Sequence, residues 1–236
     1  MDYQQFLETI NITREDFCRE VFLENRDQIR VKKEATVVKN LQKIFDAVFT
    51  ISYEKGFQAM SMRDLSRESR MSMGALYAYF SSKEELLEII QRQGRSIVKR
   101  AMEYCLDAEK DPGRRLRSVI KTHLFLSEIG RPWFYFTFME AKNLNPKELE
   151  EVLVMEGYTE KVLWDILEEG TAAGMFKKRD HHLTASMIKA MQQDWYLKRW
   201  KYAKRKITVD QYADFVIEFV EAFITTDDFL EKGGVK

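Results

Sequence analysis

The chain has 236 residues, and its 38 basic and 38 acidic side chains give a formal net charge of zero, so overall charge does not indicate a nucleic-acid partner. Its two cysteines, Cys18 and Cys105, are too few and too far apart to predict a disulfide framework or a metal site. The scarcity of proline and glycine predicts an all-α fold. No apolar run has membrane-spanning length and no leader begins the chain, so we expect a cytoplasmic protein without a membrane partner.

Residues 1–30 predict a helical extension ahead of the first domain. Phe6 and Ile10 suit one short helix, and Thr13 precedes a second helix with Asp16 at its third position, as in a capping box. Two interpretations remain open. The extension either packs on the body of the protein as an extra helical pair, or it covers the next domain or forms a dimer contact.

Residues 31–92 predict a domain of three helices, followed by the start of a fourth. Apolar side chains recur at helical spacing in the helix Val31 to Lys55, and Gly56 follows at the position where glycine commonly ends a helix. Ser61 then precedes a second helix with Asp64 at its third position, again the pattern of a capping box. A third helix begins after only a few residues. Two short helices joined by so short a turn predict a helix–turn–helix.

The third helix of this domain combines a buried edge with small and aromatic residues on its other faces. Ser72 offers its cap, and the segment Met73 to Phe80 predicts roughly two turns. Leu76 and Phe80 lie four residues apart and face inward. The outer faces carry Gly74, Ala75, Tyr77 and Tyr79. Because small residues permit close approach and tyrosine hydroxyls can donate to phosphate oxygens, the helix is suited to the major groove of DNA.

These motifs resemble the DNA-binding domain of the tetracycline-repressor (TetR) family. The matching patterns are G-F-x-x-x-[ST]-x-R-D-L, S-x-G-A-L-Y-x-Y-F and S-K-E-E-L-L, over Leu41 to Ile90. The resemblance implies a double-stranded operator bound by a homodimer. The residues expected to face bases are Met73, Gly74 and Ala75. The residues expected to hold phosphates are Ser61, Arg63, Tyr77, Tyr79 and Lys83. Lys83 opposes the dipole of the helix that it begins, which a phosphate at the same place would explain.

One turn departs from the family pattern. The residues before the third helix usually read Ala-Gly-Val-Ser, and here they read Ser69-Arg70-Met71-Ser72. The glycine serves a backbone position with positive φ, which costs free energy in a residue with a Cβ atom. We therefore expect Arg70 to be mildly strained, or the turn to be built differently. Arg70 could also supply an extra phosphate contact.

Residues 93–236 predict a larger helical domain for effector binding and dimerisation. A helix from Ser82 to about Glu109 links the domains, and motion of this helix is how the resembled family transmits ligand binding. Five helices follow between Arg114 and Thr226, one of them Pro132 to Met139, which is apolar nearly all round and is expected to be buried. The adjacent histidines 181 and 182 lie in a polar segment typical of a solvated turn.

The end of this domain carries two further likenesses to TetR-type regulators. Gly170 to Phe176 resembles a G-x-x-x-G-x-F stretch common in them. By the same resemblance, the last two helices, Leu183–Lys206 and Val209–Thr226, form the four-helix bundle of the dimer. An apolar stripe on the final helix is broad enough for both core and partner contacts: Phe215, Val216, Phe219, Val220 and Phe223.

A set of aromatic, methionine and histidine side chains lies on helices that enclose the effector cavity in the resembled family. The expected ligand-binding residues are His123, Trp133, Phe134, Phe136, Met139, Met155, Tyr158, Trp164 and Trp195. Apolar walls with a few polar groups suit a small hydrophobic or acyl-coenzyme A-like effector. The same residues at helical spacing also suit a plain core. Lys198, Arg199 and Lys201 either favour the end of their helix or pair with an anionic effector.

No catalytic, metal or cofactor motif emerges, so we do not expect an enzyme or a bound cofactor. The sequence predicts a ligand-responsive transcriptional regulator, a repressor, that binds a palindromic operator as a dimer and is released by a small molecule. Two alternatives remain open. One is a DNA-binding factor without a small effector that is controlled by a protein partner, and the other is an enzyme or effector-binding protein with a vestigial helix–turn–helix.

Overall fold

The computed structural model describes residues 1–10 and 13–226, which form twelve α-helices, one short 3₁₀-helix and an isolated bridge between Phe176 and Thr225. The α-helices are α1 (Tyr3–Ile10), α2 (Arg14–Glu24), α3 (Glu34–Lys55), α4 (Met62–Ser69), α5 (Met73–Leu76), α6 (Lys83–Asp107), α7 (Pro112–Ile129), α8 (Arg131–Glu140), α9 (Pro146–Ala172), α10 (His181–Leu197), α11 (Arg199–Lys204) and α12 (Val209–Ile224). The prediction of an all-α protein is confirmed. Within the described ranges, no helix is long and apolar enough to cross a membrane.

The chain divides into two compact units. The helix–turn–helix unit comprises Ile10–Ile97 and Pro132–Glu150, and the C-terminal unit comprises Met1–Thr9, Val98–Arg131 and Glu151–Lys236. The sequence-based boundaries at residues 30 and 92 stay a prediction about domain organisation. Each unit has its own buried apolar residues and is described separately below.

Helix α3 is the centre of the helix–turn–helix unit, because both α2 and α4 pack against it. Its buried side chains recur at helical spacing: Val37, Val38, Leu41, Ile44, Phe45, Ala47, Val48 and Ile51. It begins three residues later than the sequence predicts and ends at Gly56, as expected, where φ is +81°. Glycine adopts this left-handed conformation without the steric penalty that a Cβ atom brings.

Helix α8 also belongs to the helix–turn–helix unit. A Cβ atom at Gly94 of α6 would lie only 1.9 Å from Cε2 of Trp133, so the indole ring rests directly on the α6 backbone. The Trp133 Nε1–H donates to the Ile90 carbonyl oxygen over 3.0 Å. The prediction that α8 is buried nearly all round is wrong, since the side chains of Phe138 and Met139 are exposed. One face of α8 packs on α6, and the opposite face remains in solvent.

In the C-terminal unit, α10 contacts both α7 and α12, and α7 contacts α12. Trp195 of α10 is fully buried and stacks on the rings of Tyr202 and Tyr212, at centroid distances of 5.1 and 5.0 Å. The helix predicted to run from Leu183 to Lys206 is in fact two, because the backbone leaves helical geometry at Lys198. The ammonium groups of Lys198 and Lys201 then converge on the Asp194 carboxylate.

The expectation of a solvated turn at His181 is also wrong. Asp180 accepts a hydrogen bond from the Leu183 N–H over 3.0 Å, so α10 begins at His181. The His181 ring is buried, with Nδ1 2.8 Å from a Glu168 carboxylate oxygen and Nε2 3.1 Å from the Thr171 hydroxyl. A capping interaction one residue earlier therefore moves this histidine from a loop into the helix.

The turn between α4 and α5 confirms the strain expected at Arg70. Its φ is +56° and its ψ is +35°, in the left-handed region, and its side chain is exposed. The Met71 N–H donates to the Ser66 carbonyl oxygen over 3.1 Å, the 6→1 bond of a Schellman motif. The motif thus forms around arginine, in the conformation that glycine adopts most easily.

We predict that Arg70→Gly raises the free energy of unfolding by about 0.5–1 kcal/mol, because glycine adopts the left-handed conformation without a Cβ clash. Arg67→Gly, in the helical part of α4, serves as the matched control. It should lower the same quantity by about 1 kcal/mol, since glycine disfavours helix. Urea unfolding of both variants measures the difference, and an Arg70→Gly variant no more stable than the parent would contradict the strain.

Candidate nucleic-acid interface and ligand-binding residues

Helix α4 begins with the capping box that its sequence predicts. The Ser61 hydroxyl oxygen accepts from the Asp64 N–H over 3.1 Å, and a carboxylate oxygen of Asp64 accepts from the Ser61 N–H over 3.0 Å. Lys55 and Arg67 form ion pairs with Asp64, at 2.7 and 2.9 Å. The hydrogen bond from Lys55, followed by those from Ser61, lowers the pKa of Asp64 well below its usual value. Exposed Arg63 follows this cap directly.

Helix α5 is shorter than predicted. Ser72 caps it by accepting from the Ala75 N–H over 3.2 Å, but regular α-helix ends at Leu76. The Phe80 N–H still donates to the Leu76 carbonyl oxygen, so the segment continues as hydrogen-bonded turns. Leu76 is fully buried, whereas the residues predicted to face bases are exposed or half-buried. The predicted outward face of α5 is therefore present at Met73, Gly74 and Ala75.

Gly74 has no structural reason to be glycine within the described chain. Its φ is not in the left-handed region, and a Cβ atom there would meet no atom within 4 Å. Gly94 and Gly170 differ, because a Cβ atom at either position would overlap a ring, of Trp133 or of Phe176. Since glycine weakens a helix by about 1 kcal/mol relative to alanine, its presence at the exposed start of α5 favours close approach of another surface.

Of the two tyrosines predicted to hold phosphates, one lies on the surface and one does not. Tyr77 is 44% exposed, so its hydroxyl is accessible to a partner. The placement of Tyr79 on an outer face is wrong, because its side chain is only 2% exposed. The chain leaves α-helical geometry after Leu76, which turns Tyr79 inward. Its hydroxyl oxygen there accepts from Nδ2 of Asn40 over 2.7 Å.

Lys83 is half-buried at the start of α6. Its ammonium donates to the carbonyl oxygens of Gln58 and Met60, over 2.9 and 3.3 Å, and lies 5.4 Å from the centroid of the Phe57 ring. These contacts tie the loop before α4 to α6. An ammonium group has three protons, so one donor remains for a phosphate. A phosphate contact by Lys83 stays a prediction. The sequence did not indicate its second role, which is to hold the loop before α4 against α6.

The N-terminal extension also supports α5, which the sequence did not reveal. The Arg30 N–H donates to the Ala78 carbonyl oxygen over 2.9 Å, just past the end of α5. Upstream, α2 buries Phe22 against the core of this unit, and the Phe17 ring meets that of Phe45 at 5.5 Å. Helix α1 instead lies in the C-terminal unit, where Phe6 is fully buried. The two helices are thus not a pair packed in one place.

Comparisons with known proteins agree with this geometry. Residues 44–90 match the family model for bacterial regulatory proteins of the tetR family, and residues 109–223 match that for the tetracyclin repressor-like C-terminal domain. Together these two matches cover more than half of the chain, including the helix–turn–helix. The chain belongs to the TetR family. Members of this family are transcriptional regulators.

Individual TetR-family relatives are similar over most of their length. The HTH-type transcriptional regulator HbdR of Aromatoleum sp. (strain CIB) is 20% identical, over 80% of this chain and 82% of the relative. The structure of KstR2, a ketosteroid transcriptional regulator of Mycobacterium tuberculosis, matches with a TM-score of 0.72 and 21% identity, over 79% of this chain and 95% of that one. AibR, solved with isovaleryl coenzyme A and operator DNA, matches with a TM-score of 0.66 and 19% identity, over 76% and 97%.

The nine residues predicted to bind a ligand are divided between the two units. Four of them lie in the helix–turn–helix unit: Trp133, Phe134, Phe136 and Met139. Phe136 is core there, since its ring meets those of Phe49 and Phe57 at 5.5 and 5.8 Å. The other five lie in the C-terminal unit: His123, Met155, Tyr158, Trp164 and Trp195. Trp164 stacks on His182 at 4.5 Å, and both are at least partly exposed.

The cations near the end of α10 are engaged within the C-terminal unit. Arg199 forms an ion pair with Glu128, and its guanidinium lies 4.5 Å from the centroid of the Trp195 ring. Burial alone would raise the pKa of Asp194, but hydrogen bonds from Lys198, Lys201 and Tyr202 lower it to about 2. These pairings favour a role in holding α11 over the predicted role in binding an anionic effector.

We predict that Phe22→Ala lowers the free energy of unfolding by about 3–5 kcal/mol, because it leaves a cavity between α2 and the core of the helix–turn–helix unit. Leu23→Ala, at the neighbouring position where the side chain is 55% exposed, is the control and should change stability by less than about 0.5 kcal/mol. Chemical unfolding measures both. Equal small effects would mean that α2 is dispensable to the unit.

Proposed function

We propose that this chain is a ligand-responsive repressor that binds a two-fold symmetric DNA operator as a homodimer and leaves it when a hydrophobic or acyl-type small molecule binds. The release follows from differential affinity. An effector stabilises a dimer whose two α5 helices are wrongly spaced for successive major grooves, which lie about 34–36 Å apart. Helix α6 contributes to both units and is the element through which the ligand state reaches the DNA-reading helices.

The observation that carries operator binding is the unexplained glycine at the front of α5. Nothing in the described chain lies where a Gly74 side chain would be, so the bare backbone at the start of α5 is open to a surface that comes from outside. Exposed side chains with hydrogen-bond donors lie on α4, in the turn before α5 and just after α5: Arg63, Arg70 and Tyr77. Arginine and tyrosine donors are suited to phosphate oxygens, while a bare helix backbone fits against base edges.

An acyl-type effector is supported by chemistry in the C-terminal unit and by the complex of AibR with isovaleryl coenzyme A. Two of the predicted ligand residues are polar groups that the C-terminal unit buries at least in part. His123 is buried, and this burial, followed by the charge of Lys189, lowers its pKa well below the ordinary value, so the ring is neutral at pH 7. Tyr158 is half-buried, and burial raises the pKa of its hydroxyl.

The alternative of a DNA-binding factor without a small effector is favoured by how the other aromatic residues pack. Phe136 and Trp195 are each enclosed by the rings of other residues of their own unit. A core filled in this manner leaves these two residues no space for a ligand. Phe136 and Trp195 are therefore less suited to contact an effector than the other residues of the predicted set.

Dimerisation is supported by an apolar stripe that the described chain leaves in solvent. On α12 the exposed fractions of Phe215, Phe219 and Phe223 are 65, 59 and 48%. These residues follow one another at intervals of four, so they share one helix face. Leu183 and Met187 of the contacting helix α10 are equally exposed. Exposed apolar residues on two contacting helices are typical of a protein interface, and a two-fold symmetric interface needs only a second copy.

The proposed operator is tested by selecting bound sequences from random duplex DNA with the purified protein. We predict a two-fold symmetric motif for the parent chain. For Gly74→Ala we predict at least about a tenfold loss of affinity for the selected motif, because the added methyl group holds the helix off the bases. The same substitution should raise the free energy of unfolding by about 0.5–1 kcal/mol. If Gly74→Ala is more stable and yet binds DNA less tightly, the loss of binding comes from the lost contact with DNA and not from unfolding of the protein.

Gly157→Ala is the matched control for this experiment. Gly157 is also an exposed helical glycine whose Cβ atom would meet nothing within 4 Å, but it lies in α9 of the C-terminal unit. It should gain similar stability and keep full affinity for the selected motif. Recovery of only unspecific DNA with every protein would contradict operator binding, and equal affinities of the two alanine variants would contradict the role of Gly74.

For the dimer, we predict that Phe219→Glu shifts the protein to a monomer, because a charge at the centre of the stripe must be desolvated on association. Phe138→Glu is the control, since Phe138 is 47% exposed on α8 and lies outside the stripe. Analytical ultracentrifugation gives the mass of each variant in solution. A dimeric Phe219→Glu protein would place the dimer interface elsewhere.

A further inference from the structure

A buried cation lies inside the C-terminal unit, where the sequence indicated none. Lys189 of α10 is 4% exposed, and its ammonium donates to the Thr159 hydroxyl over 2.7 Å. A carboxylate oxygen of Glu156 lies 3.2 Å from the same nitrogen. Helix α9 supplies both partners, and α7 contributes His123, whose ring is close enough to feel the charge of Lys189. Three helices therefore bring polar groups to one buried place.

Gln192 adds a buried side-chain amide that forms no hydrogen bond within the described ranges. It lies three residues after Lys189 on the buried face of α10 and is 1% exposed. Neither its carboxamide oxygen nor its nitrogen has a hydrogen-bond partner within the described ranges. A buried amide without partners destabilises the folded state, since water would have satisfied it in the unfolded chain. Each such group calls for an explanation, and a ligand that pairs with the amide is one.

We infer that Lys189, Gln192 and His123 form the polar end of a ligand site that takes an uncharged carbonyl group carrying a neighbouring N–H or O–H donor, on an apolar chain. The inference rests on the proposed function, because it assigns the effector site and narrows the effector class. The Gln192 nitrogen donates to the ligand carbonyl oxygen, and the Gln192 oxygen accepts from the ligand donor. This two-point pairing requires a ligand that both accepts and donates.

The charges around the site disfavour a carboxylate ligand. Glu156 neutralises the one cation, and Glu160, which lies near enough to act on Lys189, adds a second negative charge. His123 is neutral at pH 7 and supplies no positive charge. Two of the three ammonium protons of Lys189 are taken by Thr159 and Glu156. A ligand carboxylate would therefore find the one buried ammonium already paired with the half-exposed Glu156 carboxylate, and it would lose its own hydration without a new ion pair.

The free protein gives the first test. Gln192→Met keeps the length of the side chain and removes the unpaired amide, so we expect the melting temperature to rise by about 2–4 °C. Gln193→Met is the matched control at the next position. Gln193 uses its amide, since its Nε2–H donates to Glu156 over 2.9 Å, and its loss should lower the melting temperature by about 2 °C. A melting temperature that falls in Gln192→Met would show a satisfied amide and overturn the inference.

The ligand is tested by thermal shift with straight-chain primary amides of six to twelve carbons and with the corresponding carboxylates. We expect at least one amide to raise the melting temperature of the parent protein and of Gln193→Met. The same amide should leave Gln192→Met unchanged, and the carboxylates should leave all three proteins unchanged. No shift with any amide, an equal shift in Gln192→Met, or a larger shift with a carboxylate would overturn the inference.

The thermal-shift assay contains no DNA, so its result is independent of the operator selection that tests the proposed function. Failure of all amides with recovery of a symmetric operator would leave the DNA-binding reading intact and remove only this site. An amide shift that depends on Gln192, without any selected operator, would keep the ligand site and remove the repressor.

Discussion

A helix of four residues does not hold its shape in water, and the proposed DNA-facing surface depends on one. Helix α5 keeps its conformation only through contacts made by other parts of the helix–turn–helix unit. Leu76 anchors it in the core, Ser72 satisfies an N–H at its start, and the Arg30 backbone bonds to the turn that follows it. The remainder of the unit can thus be understood as support for a single exposed turn.

Glycine illustrates how the same residue answers different physical needs in this chain. At Gly56 it permits a left-handed backbone at the end of α3, and at Gly94 it makes room for an indole ring. At Gly74 neither reason applies, and the proposed contact with DNA would account for the missing side chain. The opposite exchange occurs at Arg70, where a residue with a long side chain occupies a left-handed position. This position places an exposed arginine in the turn before α5.

Much of the fold could be predicted because its signals are local. The capping boxes at Thr13 and Ser61 each lie within four residues of sequence, and both form as expected. The inward turn of Tyr79 could not be foreseen, since it depends on where α5 stops being regular. Lys189 and Gln192 read as ordinary polar residues of a helix. Their burial is decided by helices far away in the sequence, which no local pattern reports.

The close contact between the Trp133 ring and the α6 backbone at Gly94 limits how α6 can move relative to α8. The ring fills the notch left by the missing side chain, and its Nε1–H is bonded to the carbonyl oxygen of Ile90 one turn earlier on α6. Close-packed contacts of this kind are bistable and do not slide continuously. An axial shift of α6 must therefore either carry α8 along as one rigid piece or lift the indole out of the notch. The packing of Trp133 against Gly94 therefore resists small shifts of α6 relative to α8. It changes only when the indole ring leaves its place altogether.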